Sequence, residues 1–182
     1  MRSKALLWTL TLAWTLGSVA ATAQSSAPTL SPPLLSPPIA GGIPAGTGAG
    51  VHSPNSPFAP LQERSDVLAW SVLTAVKTRT ERNRILPVFP ADVRALGKTT
   101  QRVQGFMMPL QPGERQRHFL LSSVPLTCSF CVPGGPESMV EVRTKTPVRY
   151  VMEPVVVEGQ FTVLDDDPYG LYYRMTDAVA VK

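Results

Sequence analysis

Two cysteines, two histidines and, past residue 23, no apolar run long enough to be a membrane helix: these scarcities narrow the chemistry open to this 182-residue chain. His118 is the one histidine in the part that reads as folded, so general acid–base work would fall on carboxylates. No Ser, His and acid spacing matches a nucleophile motif, and no glycine loop is of the kind that cradles phosphates. Excess positive charge is also scarce. Of the 17 Lys and Arg set against 13 Asp and Glu, Arg2 and Lys4 lie in the first 23 residues, and the excess left is too small to argue for nucleic acid or anionic lipid as a partner. The one basic cluster, Lys77, Arg79, Arg82 and Arg84, reads as the solvated end of a helix.

Residues 1 to 23 pair Arg2 and Lys4 with the apolar run "ALLWTLTLAWTLGSVA" and a small-residue ending at Ala21 and Ala23, the pattern of a secretory signal peptide cleaved before Gln24. At about sixteen residues the run is shorter than the roughly 20 that span a bilayer as a helix. No cysteine follows it directly, so lipid attachment is not expected. The mature chain is therefore expected to be exported, to the periplasm or the extracellular space, with no membrane span after cleavage and in a compartment where disulfides persist.

Residues 24 to 62 are dominated by Pro, Gly and Ser and read as a disordered linker, extended in its Pro-rich first half and looser in its Gly-rich second. Residues 63 to 182 read as a β-rich domain. It opens with "SDVLAWSVLTAVKTRTERN", where Ser65 or Asp66 caps an amphipathic helix of about three turns. Pro87 and Pro90 then exclude continuous helix, and Gly97 reads as a turn. From Thr100 the pattern becomes strand-like: "TQRVQGFMMPL", "QRHFLLSSV", "MVEVRT", "PVVVEGQFTVL" and "LYYRMTDAVAVK". Gly105 marks a bulge or a close backbone approach, and "DDDPYG" a hairpin turn of solvated acids. Tyr169, Tyr172 and Tyr173 read as cross-strand packing. Five short strands and one N-terminal helix predict a mainly β domain, a small OB-like barrel or a split sandwich. Such a domain buries enough surface to fold without a staple.

Cys128 and Cys131 sit three positions apart in "PLTCSFCVPGGP". A disulfide between them closes a short loop and would stabilise by only about 2 kcal/mol on the chain-entropy model, so its use is to shape the turn. Pro133, Gly134, Gly135 and Pro136 obstruct the helix that a thioredoxin-type thiol needs at its N-terminal side. Val132 stands where attached c-type haem requires histidine. For zinc, two thiolates supply half a tetrahedral shell, with His118, Glu137 or Asp165 to complete it and His52 out of place in the linker. Copper(I) would be served by the thioethers of Met107 and Met108, although methionines beside Phe106 also read as core filler. Disulfide, metal ligation, exchange-active thiols and inert thiols all remain open, and Phe130, Pro133 and Pro136 are the candidate contact residues of the turn.

"GFMMPL" at 105 to 110, "CSFCVPGGPESMVEV" at 128 to 142 and the closing "VEGQF" and "GLYYRMTDAVAV" together resemble the bacterial exported family known as domain of unknown function 3299, DUF3299. The resemblance covers roughly residues 65 to 182. It departs from the family at "VPGGP", where other members carry a longer proline run. No catalytic role is implied. Its implied setting, beside ABC-type export or metal-uptake functions, makes an envelope protein or a transport complex the expected partner. The expected function is a non-enzymatic envelope binding or transport-accessory module, with or without a thiophilic metal on the C-x-x-C turn. The competing class is a periplasmic thiol–disulfide redox protein or metallochaperone.

Overall fold

The computed structural model of the chain describes residues 48 to 181. The residues read as a signal peptide and residues 24 to 47 of the expected linker therefore lie outside the described residues. The helix of about three turns expected after Ser65 or Asp66 is a single turn, α1 (Trp70–Leu73). Beyond Val76 the chain enters a hairpin, β1 (Lys77–Glu81) paired antiparallel with β2 (Arg84–Val88). Arg82 and Asn83 between them both have positive φ, 48° and 62°, the two-residue type I′ turn whose twist suits paired strands. The basic cluster read as a helix end thus belongs to this hairpin. A second short helix, α2 (Ala91–Ala95), starts directly after Pro90.

Five strands follow: β3 (Thr100–Pro109), β4 (Arg115–Ser122), β5 (Met139–Arg149), β6 (Val155–Val163) and β7 (Tyr173–Val181). They close into a barrel in the order β3-β4-β5-β7-β6, with β6 pairing back onto β3. Every pairing is antiparallel except β5 with β7. This mixed five-stranded closure is OB-like and is not a split sandwich. Strand β3 belongs to both sides of the barrel, pairing with β6 through Thr100–Gly105 and with β4 through Phe106–Pro109. At the hand-over, a Cβ on Gly105 would meet Ser122 O at 2.8 Å and Leu121 Cδ2 at 2.7 Å, so the close backbone approach expected there is met.

Alternation on each strand sends one set of side chains inward. Val103, Phe119, Leu121, Val140, Val142, Val157, Phe161, Tyr173 and Met175 are all fully buried in one cluster. Leu73 of α1 and Val93 of α2 join it, each at 0% exposure. Tyr173 donates its hydroxyl to Leu73 O at 2.6 Å, which ties the single-turn helix to the barrel. Tyr172 and Tyr173 are core residues as expected, whereas Tyr169 is 86% exposed.

Residues 48 to 58, the end of the stretch expected to be a free tether, are held along the barrel. Val51 and Val132 exchange both backbone hydrogen bonds, at 2.7 and 2.9 Å. Phe58 meets Phe106 edge-on and His52 stacks on it, each with ring centroids 6.4 Å apart. Its glycines and prolines disfavour a packed element but do not prevent a strap from hydrogen-bonding to another segment.

Candidate functional site

The turn between β4 and β5 is built from short local bonds. Cys128 N donates to Pro125 O and Cys131 N to Cys128 O, each at 3.2 Å, folding the chain twice in succession. That places the two Cα atoms 5.3 Å apart, and Cys128 and Cys131 form a disulfide. Cys128 is buried against the strap, where the Ser56 hydroxyl donates to its sulfur at 3.3 Å, while Cys131 is half-buried. Phe130, inside the closed loop, is 62% exposed.

The strap clamps the far half of the turn. Gly48 N donates to Glu137 Oε1 at 2.5 Å, and the Ser123 hydroxyl to Ala49 O at 2.5 Å. Gly134 is the crossing point: a Cβ there would lie 1.9 Å from Gly48 O. Gly134, one of the two glycines that break the proline run, therefore has a steric reason. Pro133 and Pro136 are exposed, the latter opening the 3₁₀ turn Pro136–Ser138 that leads into β5.

The candidate ligands are placed as follows. His118 Nε2 lies 2.7 Å from Glu141 Oε1 on the barrel wall, so this histidine faces a carboxylate and not the sulfurs. Met107 is buried in the core cluster, and Met108 is 38% exposed. Both line a small cleft with Pro125, Leu126 and Thr127, just before Cys128. Glu137 holds the strap, and Asp165 pairs with Arg94 at 2.9 Å. Among the described residues, no group of three or more His, Cys, Asp and Glu is arranged to hold a metal ion.

Glu141 is a centre that the sequence did not single out. It lies between two inward-facing valines, is 3% exposed, and collects hydrogen bonds from His118, Arg143 and Arg174. Burial alone would push this carboxyl up; hydrogen bonds from Arg174, His118 and Arg143 together outweigh it and hold the group below the usual carboxylate range. Arg174 continues to Asp167 at 3.0 Å, and Arg84 reaches Asp166 at 2.9 Å. The "DDD" turn is thus paired with three arginines, Asp165 and Asp166 remaining exposed as expected of a solvated turn and Asp167 buried. An acid inside "MVEVRT", on a strand beside one histidine and flanked by arginine, was the available signal.

No family model and no curated protein matches the chain. Among solved structures, it is similar to a crystal structure of a DUF3299 family protein from Pseudomonas aeruginosa PAO1, with 21% identity, 53% of this chain and 68% of that chain covered, and a TM-score of 0.39. The family of that matching structure is the one that residues 65 to 182 resemble, DUF3299.

Proposed function

We propose that the chain is an exported, non-enzymatic binding or transport-accessory module of the cell envelope, and that the turn at residues 125 to 136 is its contact surface. The observation that carries this reading is Phe130, a large aromatic at 62% exposure inside a covalently closed loop. An exposed aromatic is what binding hot spots favour, and a pre-organised loop loses little entropy when it is covered. A rigid barrel presenting a functional loop is the common division of labour. Val132, 38% exposed and hydrogen-bonded to the strap, extends the apolar contact. An exported setting suits the disulfide.

A photo-crosslinking residue at position 130, in cells that export the chain, tests this. One discrete envelope-protein adduct, absent when the same residue stands at exposed Thr100 on the start of β3, is the expected result. Equal patterns at the two positions reject the reading.

The second reading, a thiol–disulfide exchange protein or metallochaperone, draws on the half-buried Cys131 sulfur, which a thiolate from solvent can approach. It predicts a readily reduced bond, and zinc or copper bound by the reduced protein. Native mass spectrometry with and without reductant separates the two. A bond that resists glutathione and takes up no metal favours the binding module.

A further inference from the structure

Most arginines among the described residues face a carboxylate. Arg64 and Arg102 meet Asp66, Arg79 meets Glu81, Arg84 meets Asp166, Arg94 meets Asp165, and Arg143 and Arg174 share Glu141. Besides Arg82 in the β1–β2 turn, one stretch breaks this habit. At the end of the β4–β5 ladder, Arg115, Arg117, Lys145 and Arg149 have no acidic partner among the described residues. Arg115 stands directly opposite Arg149 in the register, and like charges so placed destabilise a strand pair. Arg115 donates to Pro147 O at 3.0 Å and Arg117 to Lys145 O at 2.5 Å, where β5 is widened by a register shift. Those bonds fix the guanidinium groups on the surface without neutralising them. The small charge excess of the whole chain hides this local concentration.

The same end of the barrel, where Glu114 and Glu153 are the exposed acids, also shows apolar side chains to solvent. Met108 and Leu110, where β3 ends, are 38% and 42% exposed, and Met152, just past β5, is 54% exposed. Tyr150 N donates to Glu114 O at 2.7 Å, which brings the segment carrying Met152 against the loop between β3 and β4. Cations alone would suit any polyanion. Exposed thioethers and a leucine beside them are left without a partner by a soluble polyanion, whereas an anionic bilayer surface offers headgroup charge and an apolar layer together.

We propose that this rim, formed by the β3–β4 loop, the end of the β4–β5 ladder and the β5–β6 segment, docks on an anionic phospholipid surface. The assignment rests on residues outside the turn at residues 125 to 136, although Met108 and Met152 share a cleft with its first residues, Pro125 to Thr127, and it would place the barrel at the membrane face.

Vesicle co-sedimentation of the full chain tests it, with phosphatidylcholine alone and phosphatidylcholine mixed with phosphatidylglycerol. The chain should bind the mixed vesicles in preference and release with salt. R115Q/R149Q should lower that partitioning on the order of tenfold, since each cation at the surface contributes several-fold. The same variant should melt at a slightly higher temperature, because the opposed charges are gone. L110S/M152S should weaken binding while keeping its salt dependence, and K145Q, at an exposed position, serves as a milder second charge variant. Unchanged binding in R115Q/R149Q and K145Q, or no preference for phosphatidylglycerol, would overturn the assignment. So would full competition by soluble polyglutamate combined with no effect of L110S/M152S, which would make the rim an acidic-protein site.

Discussion

Glu141 and Cys128 are both buried polar or reactive groups close to the barrel surface, held there by opposite means. Glu141 is placed by strand register: β4 and β7 pair with β5 on either side and set His118 and Arg174 against it. Cys128 is placed by a covalent bond to Cys131 and by a strap from an earlier part of the chain. The first arrangement cannot change without disturbing the sheet. The second leaves its outer half, Phe130 to Pro133, outside the barrel ladder and joined to the strap through Val132, which suits a surface that meets partners. Wall and rim should therefore respond differently to substitution.

The largest effect is expected at the wall. E141A leaves Arg174, Arg143 and His118 converging on a buried position with no counter-charge, and should destabilise by about 3 kcal/mol, at the lower end for a buried charge because these partners reach solvent. Urea unfolding followed by circular dichroism measures it. The pH dependence has a fixed sign. Because the folded carboxyl is held below its usual range, its stabilising contribution is present above the unfolded value of about 4.3 and disappears as pH falls through the folded value. The stability gap between the parent and E141Q should thus be widest near neutrality and narrow in acid. A gap that widened below that value would show that the carboxylate is not held by its cations.

At the rim the effects shrink. C128S/C131S removes a four-residue closure and should cost about 2 kcal/mol or less, since so short a loop constrains the unfolded chain little. If it proved costlier than E141A, the turn would be a staple and the contrast with the wall would fail. Smaller again is G134A. Its new methyl meets both Gly48 O and the buried Ser138 side chain, so the strap must lift and the 3₁₀ turn must shift while the barrel stays paired, costing about 1.5 kcal/mol. Limited proteolysis reads this directly: cleavage within residues 48 to 58 should quicken, with the fragment from residue 63 onward surviving.

The five barrel strands were legible because each carries inward apolar residues at a period of two, as in Phe119 and Leu121 or Val140 and Val142. Their closure and order were not, since pairing depends on contacts distant in sequence. The β1–β2 hairpin was missed, with β1 read as the end of a helix, for a specific reason: all five residues of β1 are exposed, so no apolar alternation marks the strand, and the Arg82–Asn83 turn lacks the glycine that usually announces such a loop. Threonines at positions 78 and 80, β-branched and extended by preference, were the remaining cue. In the turn, Cys128 and Cys131 were visible as a pair, but their use was not, because the strap that buries one sulfur comes from a segment whose composition argues for no structure at all.

Phe130 carries the smallest stability change and the sharpest functional one. Its ring is exposed, so F130A removes little packing and should shift stability by less than about 0.5 kcal/mol. If the ring is the anchor of a protein contact, the same substitution should weaken that contact by about 2 kcal/mol, on the order of thirtyfold in affinity. Affinity for the envelope protein captured at position 130, measured by titration calorimetry, checks this against C128S/C131S. The cysteine variant keeps the ring and frees the loop, so it should weaken binding less than F130A while destabilising the fold more. That crossed order separates a contact made by the aromatic from one made by the fold around it. An F130A protein that binds as tightly as the parent would move the contact elsewhere on the barrel.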